Sequence, residues 1–176
     1  PMINTVKWAC ENAPRILRDS PISIGMMLPT KKAYVAYEPI GVLGIISPWN
    51  YPLSTPLAEI FLGLIAGNAI VLKPSDVTGL VNEHIQKIVD SMELPQGLFT
   101  MIEGRGDVGA ALAAAKVDRI VVTGSVATGR KVMATASSNL TPVTLELGGK
   151  DSMIICDDAN IDVASSAAVV GCCFNA

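Results

Sequence analysis

Short, wholly apolar, β-branched runs that recur between longer helix-like segments constrain this chain more than any other feature. The runs are GVLGIIS (41–47), AIVLK (69–73), RIVVTG (119–124) and SMIICD (152–157). Between them lie STPLAEIFLGLIAG (54–67), GLVNEHIQKIVDSM (79–92), VGAALAAAK (108–116) and TGRKVMATASS (128–138). Strands with no polar alternation are buried on both faces, and helices of ten or more residues between them are the connections that parallel strands require. The predicted class is therefore α/β, a Rossmann-like doubly wound parallel sheet of βαβ units. Ligands in such sheets sit at the carboxyl ends of the strands. The segments that follow the strands, SPWN, KPSD, EGRG, TGS and the later LELGGK, are polar or glycine-rich and suit that rim.

Before residue 41 the pattern differs. MINTVKWACENAPRILRDS reads as the end of one helix and a turn, broken at Pro14 and Pro21, with Trp8 as a packing residue. AYVAYEP (33–39) alternates at period two, as a strand does. Residues 110–115 are alanine-rich, and a helix explains them.

With 50% hydrophobic residues in 176, the chain can bury one large core, and an apolar fraction this high for a domain that stands alone suggests a piece of something larger. Neither end reads as natural: Pro1 is not an initiator, and DVASSAAVVGCCFNA is an apolar helix without a polar tail. A net charge of −3 and a pI near 5.1 give no basic field for a phosphate backbone, so nucleic acid is excluded as the expected partner. The longest apolar run, residues 60–72, is interrupted by Asn68 and too short for a bilayer, so no membrane partner is expected. No signal peptide is visible. Cys10, Cys156, Cys172 and Cys173 match neither a secreted disulfide framework nor a metal-binding CxxC pair, and no metal constellation exists. A reducing setting follows, cytoplasmic or within an organelle. His84 in NEHIQK reads as a solvated helix face, and Asp157 and Asp158 as caps for the helix after them.

Of two generic nucleotide motifs, one is a weak signal and the other is disfavoured by its spacing. GRGDVG (104–109) is a GxGxxG between an apolar strand and a helix, but the next strand ends in Thr-Gly-Ser where a Rossmann fingerprint has an acid. GSVATGRK (124–131) lacks Walker A spacing, because Arg130 separates Gly129 from Lys131 and Val132 stands where Ser or Thr would hold magnesium. What remains is a strand, then Thr-Gly-Ser, then a helix N-terminus suited to an anion. Ser125 as a simple N-cap accounts for the serine but not for the glycines on both sides.

EPIGVLGIISPWNYPL, AGNAIVLKPSD, VTGSVATGR and LTPVTLELGGKDSMIICDDANID, in this order and at these distances, resemble the aldehyde dehydrogenase superfamily. The resemblance runs from about residue 38 to 176. It implies that 1–38 hold a helix end and part of an oligomerisation arm, that 39–176 form an NAD(P)-binding domain, and that the catalytic domain lies outside this chain. It implies that the chain is a fragment of a larger multidomain enzyme, a homo-oligomeric parent that oxidises a small-molecule aldehyde to a carboxylic acid through a cysteine thioester.

By resemblance, Asn50 is the amide donor to the oxyanion and Glu146 the base that activates water for thioester hydrolysis. Leu145 and Leu147 would flank that carboxylate and raise its pKa. Lys73, Ser75 and Asp76 grip the adenosine ribose, and Gly124, Ser125 and Gly129 form the helix start that faces the pyrophosphate. Gly104 and Gly109 shape the adenine side of the cleft, while Ser47, Pro48, Trp49 and Leu147 complete the cofactor contacts. Asp76 departs from the family, which commonly has Glu there, and its arm is one bond, ~1.5 Å, shorter. NAD is the expected cofactor, with NADP as the alternative.

The family nucleophile lies in a motif resembling Gly-Gln-x-Cys directly after an Asn-Ala like Asn175-Ala176, so Cys172 and Cys173 are expected to be buried packing residues. The 176-residue chain is then expected to be inactive by itself. Two other readings stand beside this one: a nucleotide-binding module without catalysis, and an unrelated Rossmann dehydrogenase in which Gly106 of GRGDVG is essential and Ser125 is not.

Overall fold

The structure is a computed structural model that describes residues 2–26 and 30–174. Five parallel strands form the central sheet: β3 (Val42–Ile46), β4 (Ala69–Lys73), β5 (Phe99–Met101), β6 (Arg119–Gly124) and β7 (Val143–Leu147). Their spatial order is β5-β4-β3-β6-β7. The connections are the helices α2 (Ser54–Ile65), α3 (Gly79–Asp90), α4 (Gly106–Ala114) and α5 (Val126–Ala136), as parallel neighbours demand. The chain steps outward from β3 to β5, then crosses back over β3 to lay β6 and β7 on the other side. That reversal leaves a crevice between the carboxyl ends of β3 and β6.

The two faces of the sheet have separate cores. Leu43 and Ile45 pack with Ile70 and Leu72 against Leu57 and Ile60 of α2 and Ile85 and Val89 of α3. Ile46, Ile120 and Val122 pack on the opposite face with Leu112 and Ala113 of α4 and Val132 and Ala136 of α5. Burying each Leu or Ile contributes roughly 1.5–3 kcal/mol. The apolar run 60–72 is divided between α2 and β4 by a turn at Gly67 (φ 86°). Among the described residues no helix is long and apolar enough to cross a membrane.

Several sequence expectations need correction. Pro14 does not break α1 (Met2–Ile16), because it falls in the last turn, where its missing N–H costs one hydrogen bond. The Leu17 N–H then closes the helix on the Ala13 carbonyl at 2.8 Å. Trp8 is 56% exposed on this helix and does not pack into the core. Pro21 sits within β1 (Ser20–Ile22), which pairs antiparallel with β2 (Ala33–Val35), so the strand expected over 33–39 covers only its first three residues. A two-stranded ribbon has two edges, where proline's missing donor is tolerated.

SMIICD forms no strand, and Ile154 is 87% exposed. A place beside β7 in the parallel sheet needs a crossover of a dozen or more residues, and only 148–151 separate β7 from the run. Asn160, not Asp157 or Asp158, caps α6 (Ile161–Cys173), its Oδ1 accepting from the Val163 N–H at 3.1 Å. No residue of α6 is buried, so Cys172 and Cys173 are exposed, as are Cys10 and Cys156. Asn175 and Ala176 lie outside the described residues.

Candidate functional site

The crevice at the strand ends opens into a cleft of about 960 Å³. Each strand delivers residues to it: Ser47, Pro48, Trp49 and Asn50 after β3, Lys73, Ser75 and Asp76 after β4, and Arg105, Gly106 and Gly109 after β5. Thr123, Gly124 and Ser125 follow from the end of β6, and Glu146, Leu147 and Gly148 from that of β7. This is the position at which doubly wound sheets bind ligands.

Two polar side chains here have no side-chain or backbone partner among the described residues. Ser47 is 7% exposed, and its Oγ has no hydrogen-bond partner among the described residues. Lys73 is also 7% exposed and lies on the neighbouring strand, where its carbonyl accepts from the Ser47 N–H at 3.2 Å. Among the described residues, the ion pair in the cleft joins Arg105 to Asp76, so the Lys73 ammonium has no carboxylate partner. The unpartnered buried hydroxyl costs free energy that a hydrogen-bonding ligand would recover, and an ammonium without a carboxylate favours an anionic or acceptor-rich one.

The KPSD turn is held rigidly from behind. Ser75 Oγ accepts from the Val77 N–H at 3.3 Å and caps a single 3₁₀ turn, and buried Asn82 of α3 donates to the Ser75 carbonyl at 2.9 Å. Across the cleft, Ser125 caps α5, its Oγ accepting from the Thr128 N–H at 3.1 Å. The capping role is therefore real. It also leaves the other first-turn N–H groups of α5 at the cleft, the positive end of the helix dipole.

Asn50 has its amide oriented by the backbone: Oδ1 accepts from the Tyr51 N–H at 3.1 Å. That bond occupies the acceptor end, so Nδ2, which has no partner among the described residues, is the end left to donate.

Strand alternation changes the expected surroundings of Glu146. Leu145 joins the core against α4 and α5, and Leu147 packs toward Gly129 on the same side, so Glu146 projects from the opposite face and is not flanked by them. Burial raises the pKa of another carboxyl, that of Glu59 of α2, and the charge of Glu146 raises it further. Sequence reasoning missed this residue; a lone acid in the apolar helix STPLAEIFLGLI was the available signal.

For a carboxyl raised in the folded state, both states hold the proton below the ordinary carboxylate range. As pH climbs, the unfolded chain ionises first, so the native state carries a penalty that is complete above the folded pKa. Glu59→Gln is thus expected to raise Tm by a few degrees at most at neutral pH and to leave it unchanged in acid, checked by thermal unfolding at both values.

Two expected site residues do not line the cleft. Gly104 (φ 149°) makes the turn before α4, and a side chain there would collide with Val108. Gly129 lets α5 approach β7, since an added Cβ would stand 2.8 Å from both Leu147 methyls. Both are positional requirements of the fold. Thr128, Lys131 and Thr135 also line the cleft although sequence reasoning did not place them there, and Arg105, Gly106, Thr123 and Gly148, within the segments expected at the rim, line it without having been given a role in the aldehyde dehydrogenase reading.

A family model described as "Aldehyde dehydrogenase family" matches residues 1–176. The chain is 40% identical over 172 residues to 4,4'-diapolycopene aldehyde oxidase of Methylomonas sp, covering 97% of this chain and 32% of that protein. It is 44% identical over 159 residues to betaine aldehyde dehydrogenase 1 of Oryza sativa subsp. japonica, covering 89% of this chain and 31% of the relative. Among solved structures, the NAD+ complex of an aldehyde dehydrogenase from Bacillus cereus superimposes with a TM-score of 0.89 at 31% identity, over 99% of this chain and 35% of that one. The chain thus spans about a third of the length of the relatives it matches.

Proposed function

The chain belongs to the aldehyde dehydrogenase family, and from that premise we propose that its cleft binds NAD, with NADP admitted, in a protein that oxidises an aldehyde to a carboxylic acid. The observation that carries this reading is the buried, unpartnered Ser47 Oγ beside Lys73, whose side chain lines the cleft without a carboxylate partner among the described residues. They fit a dinucleotide, whose ribose hydroxyls and phosphates supply the missing acceptors and donors. The solved relative from Bacillus cereus is an NAD+ complex, which supports the same group here.

In this reading Lys73, Ser75 and Asp76 hold the adenosine ribose, and the N-terminus of α5 at Gly124 and Ser125 receives the pyrophosphate. Ser47, Pro48, Trp49, Gly109 and Leu147 shape the remaining wall, while Gly104 and Gly129 act through the backbone. When bound, the dinucleotide supplies the hydride acceptor. Asn50 Nδ2 donates to the oxygen that becomes anionic as a thiolate attacks the aldehyde carbon. Glu146 takes a proton from the water that hydrolyses the resulting thioester. Residues 39–176 are assigned to cofactor binding and 1–38 to a helix and an arm. The ribbon of β1 and β2 in that arm is exposed and marginal in water by itself, which supports its burial against another copy of the protein.

The position of the cysteines favours a second reading for the isolated chain, a nucleotide-binding module without catalysis. None of the four lines the cleft, and all are exposed. In the full-length protein quenched with aldehyde and NAD, mass spectrometry is expected to place no acyl group on Cys10, Cys156, Cys172 or Cys173. Replacing Cys172 and Cys173 together by Ser is expected to leave kcat essentially unchanged, because neither lines the cleft. The 176-residue chain by itself is expected to turn over no aldehyde. An acyl adduct on any of the four would overturn the assignment.

A further inference from the structure

We infer that Arg105 is a specificity-determining residue that lets the cleft accept a 2′-phosphate on the adenosine ribose of its dinucleotide. The inference rests on the proposed cofactor reading, in which Asp76 faces that ribose.

Arg105 Nε stands 3.9 Å from Asp76 Oδ2, beyond hydrogen-bond distance, with the two side chains 89% and 44% exposed. Such a loose, solvated pair adds little to stability and is readily exchanged. Its setting gives arginine no structural task. Arg105 is the N-cap residue of α4 but makes no side-chain capping bond, and a cation is disfavoured at the positive end of a helix. The turn that presents it is nonetheless tightly specified, since Gly104 before it adopts φ 149°, where a side chain would strike Val108.

Asp76 alone would repel a 2′-phosphate. With Lys73 and Arg105 beside it in the cleft lining, the three side chains sum to one positive charge at this end. The other lining carboxylate, Glu146, belongs to β7, three strands away from β4 and so roughly 14 Å across the sheet. Guanidinium binds phosphate through paired charge-assisted hydrogen bonds, which outweigh a loose surface pair. Arg105 therefore rests on Asp76 when the ribose carries a 2′-hydroxyl and turns to the phosphate when it carries one. NAD is preferred, because Asp76 serves its hydroxyls directly, and NADP is still accepted.

Calorimetric titration of NAD and NADP into the full-length protein and its Arg105→Ala and Arg105→Lys variants tests this, with melting curves to confirm folding. Arg105→Ala is expected to weaken NADP on the order of 10- to 100-fold and NAD by less than about threefold. Arg105→Lys is expected to fall between. Added salt should weaken NADP binding more than NAD binding in the native protein, and this difference should shrink in Arg105→Ala. Equal losses for the two cofactors, or no loss for NADP, would overturn the role of Arg105 while leaving the cleft assignment intact. Binding of neither cofactor to the native protein would overturn the cleft assignment itself.

Discussion

Glu146→Gln in the full-length protein is expected to let the thioester form and then slow its hydrolysis by about 10²- to 10⁴-fold, the range removed with a general base. The amide keeps the size and hydrogen-bonding outline of the carboxylate but cannot take a proton from water. Glu146 is exposed near the end of β7 and makes no hydrogen bond or ion pair among the described residues, so the change breaks no bond in the fold and only relieves the repulsion on Glu59. Rapid-mixing kinetics is the appropriate measurement: a first turnover of reduced cofactor at the native rate, followed by a suppressed steady state and an acyl-enzyme that accumulates. An unaltered steady state would remove Glu146 from the role. Glu59, the half-buried carboxyl whose proton is held partly by the charge of Glu146, would then be the next base to test.

Asn50→Ala is expected to act one step earlier. Loss of a preorganised amide donor to an oxyanion typically costs about 10²- to 10³-fold, or ~3 kcal/mol of transition-state stabilisation. The structure makes a sharper comparison available, because Asn50 spends its oxygen on the Tyr51 N–H and keeps its nitrogen for the cleft. Asn50→Asp preserves the bond to Tyr51 but replaces the donor with an acceptor that carries negative charge. It is therefore expected to fail at least as badly as alanine, although its local geometry survives. Single-turnover acylation rates at saturating cofactor distinguish this from a loss of binding. Near-native acylation by Asn50→Asp would mean that the side-chain donor is not used.

Much of the architecture was legible in the residue order, for local reasons. Unbroken β-branched runs such as AIVLK and RIVVTG can only be strands covered on both sides, and the helix-period segments between them force parallel connections. The segments SPWN, KPSD and TGS, placed after those strands, had to gather at one rim. Most of the residues expected at the site, from Ser47 to Glu146, do line one cleft. Local pattern also misled. SMIICD has the composition of a strand but stands too soon after β7 for a parallel crossover, and Gly129 has the look of a phosphate-binding glycine while it serves the approach of α5 to Leu147.

Tertiary structure alone decided what depends on chain closure. The order β5-β4-β3-β6-β7 puts Ser47 beside Lys73 and leaves the Ser47 hydroxyl and the Lys73 ammonium without a partner among the described residues, a fact no window of sequence contains. The same closure brings Arg105 to Asp76 and sets the charge of Glu146 against Glu59. Periodicity and propensity act over one turn or one strand, so they specify the elements and their exposed ends. Which side chains meet across those ends is set by how the helices pack on each face of the sheet, and that packing is a property of the whole fold.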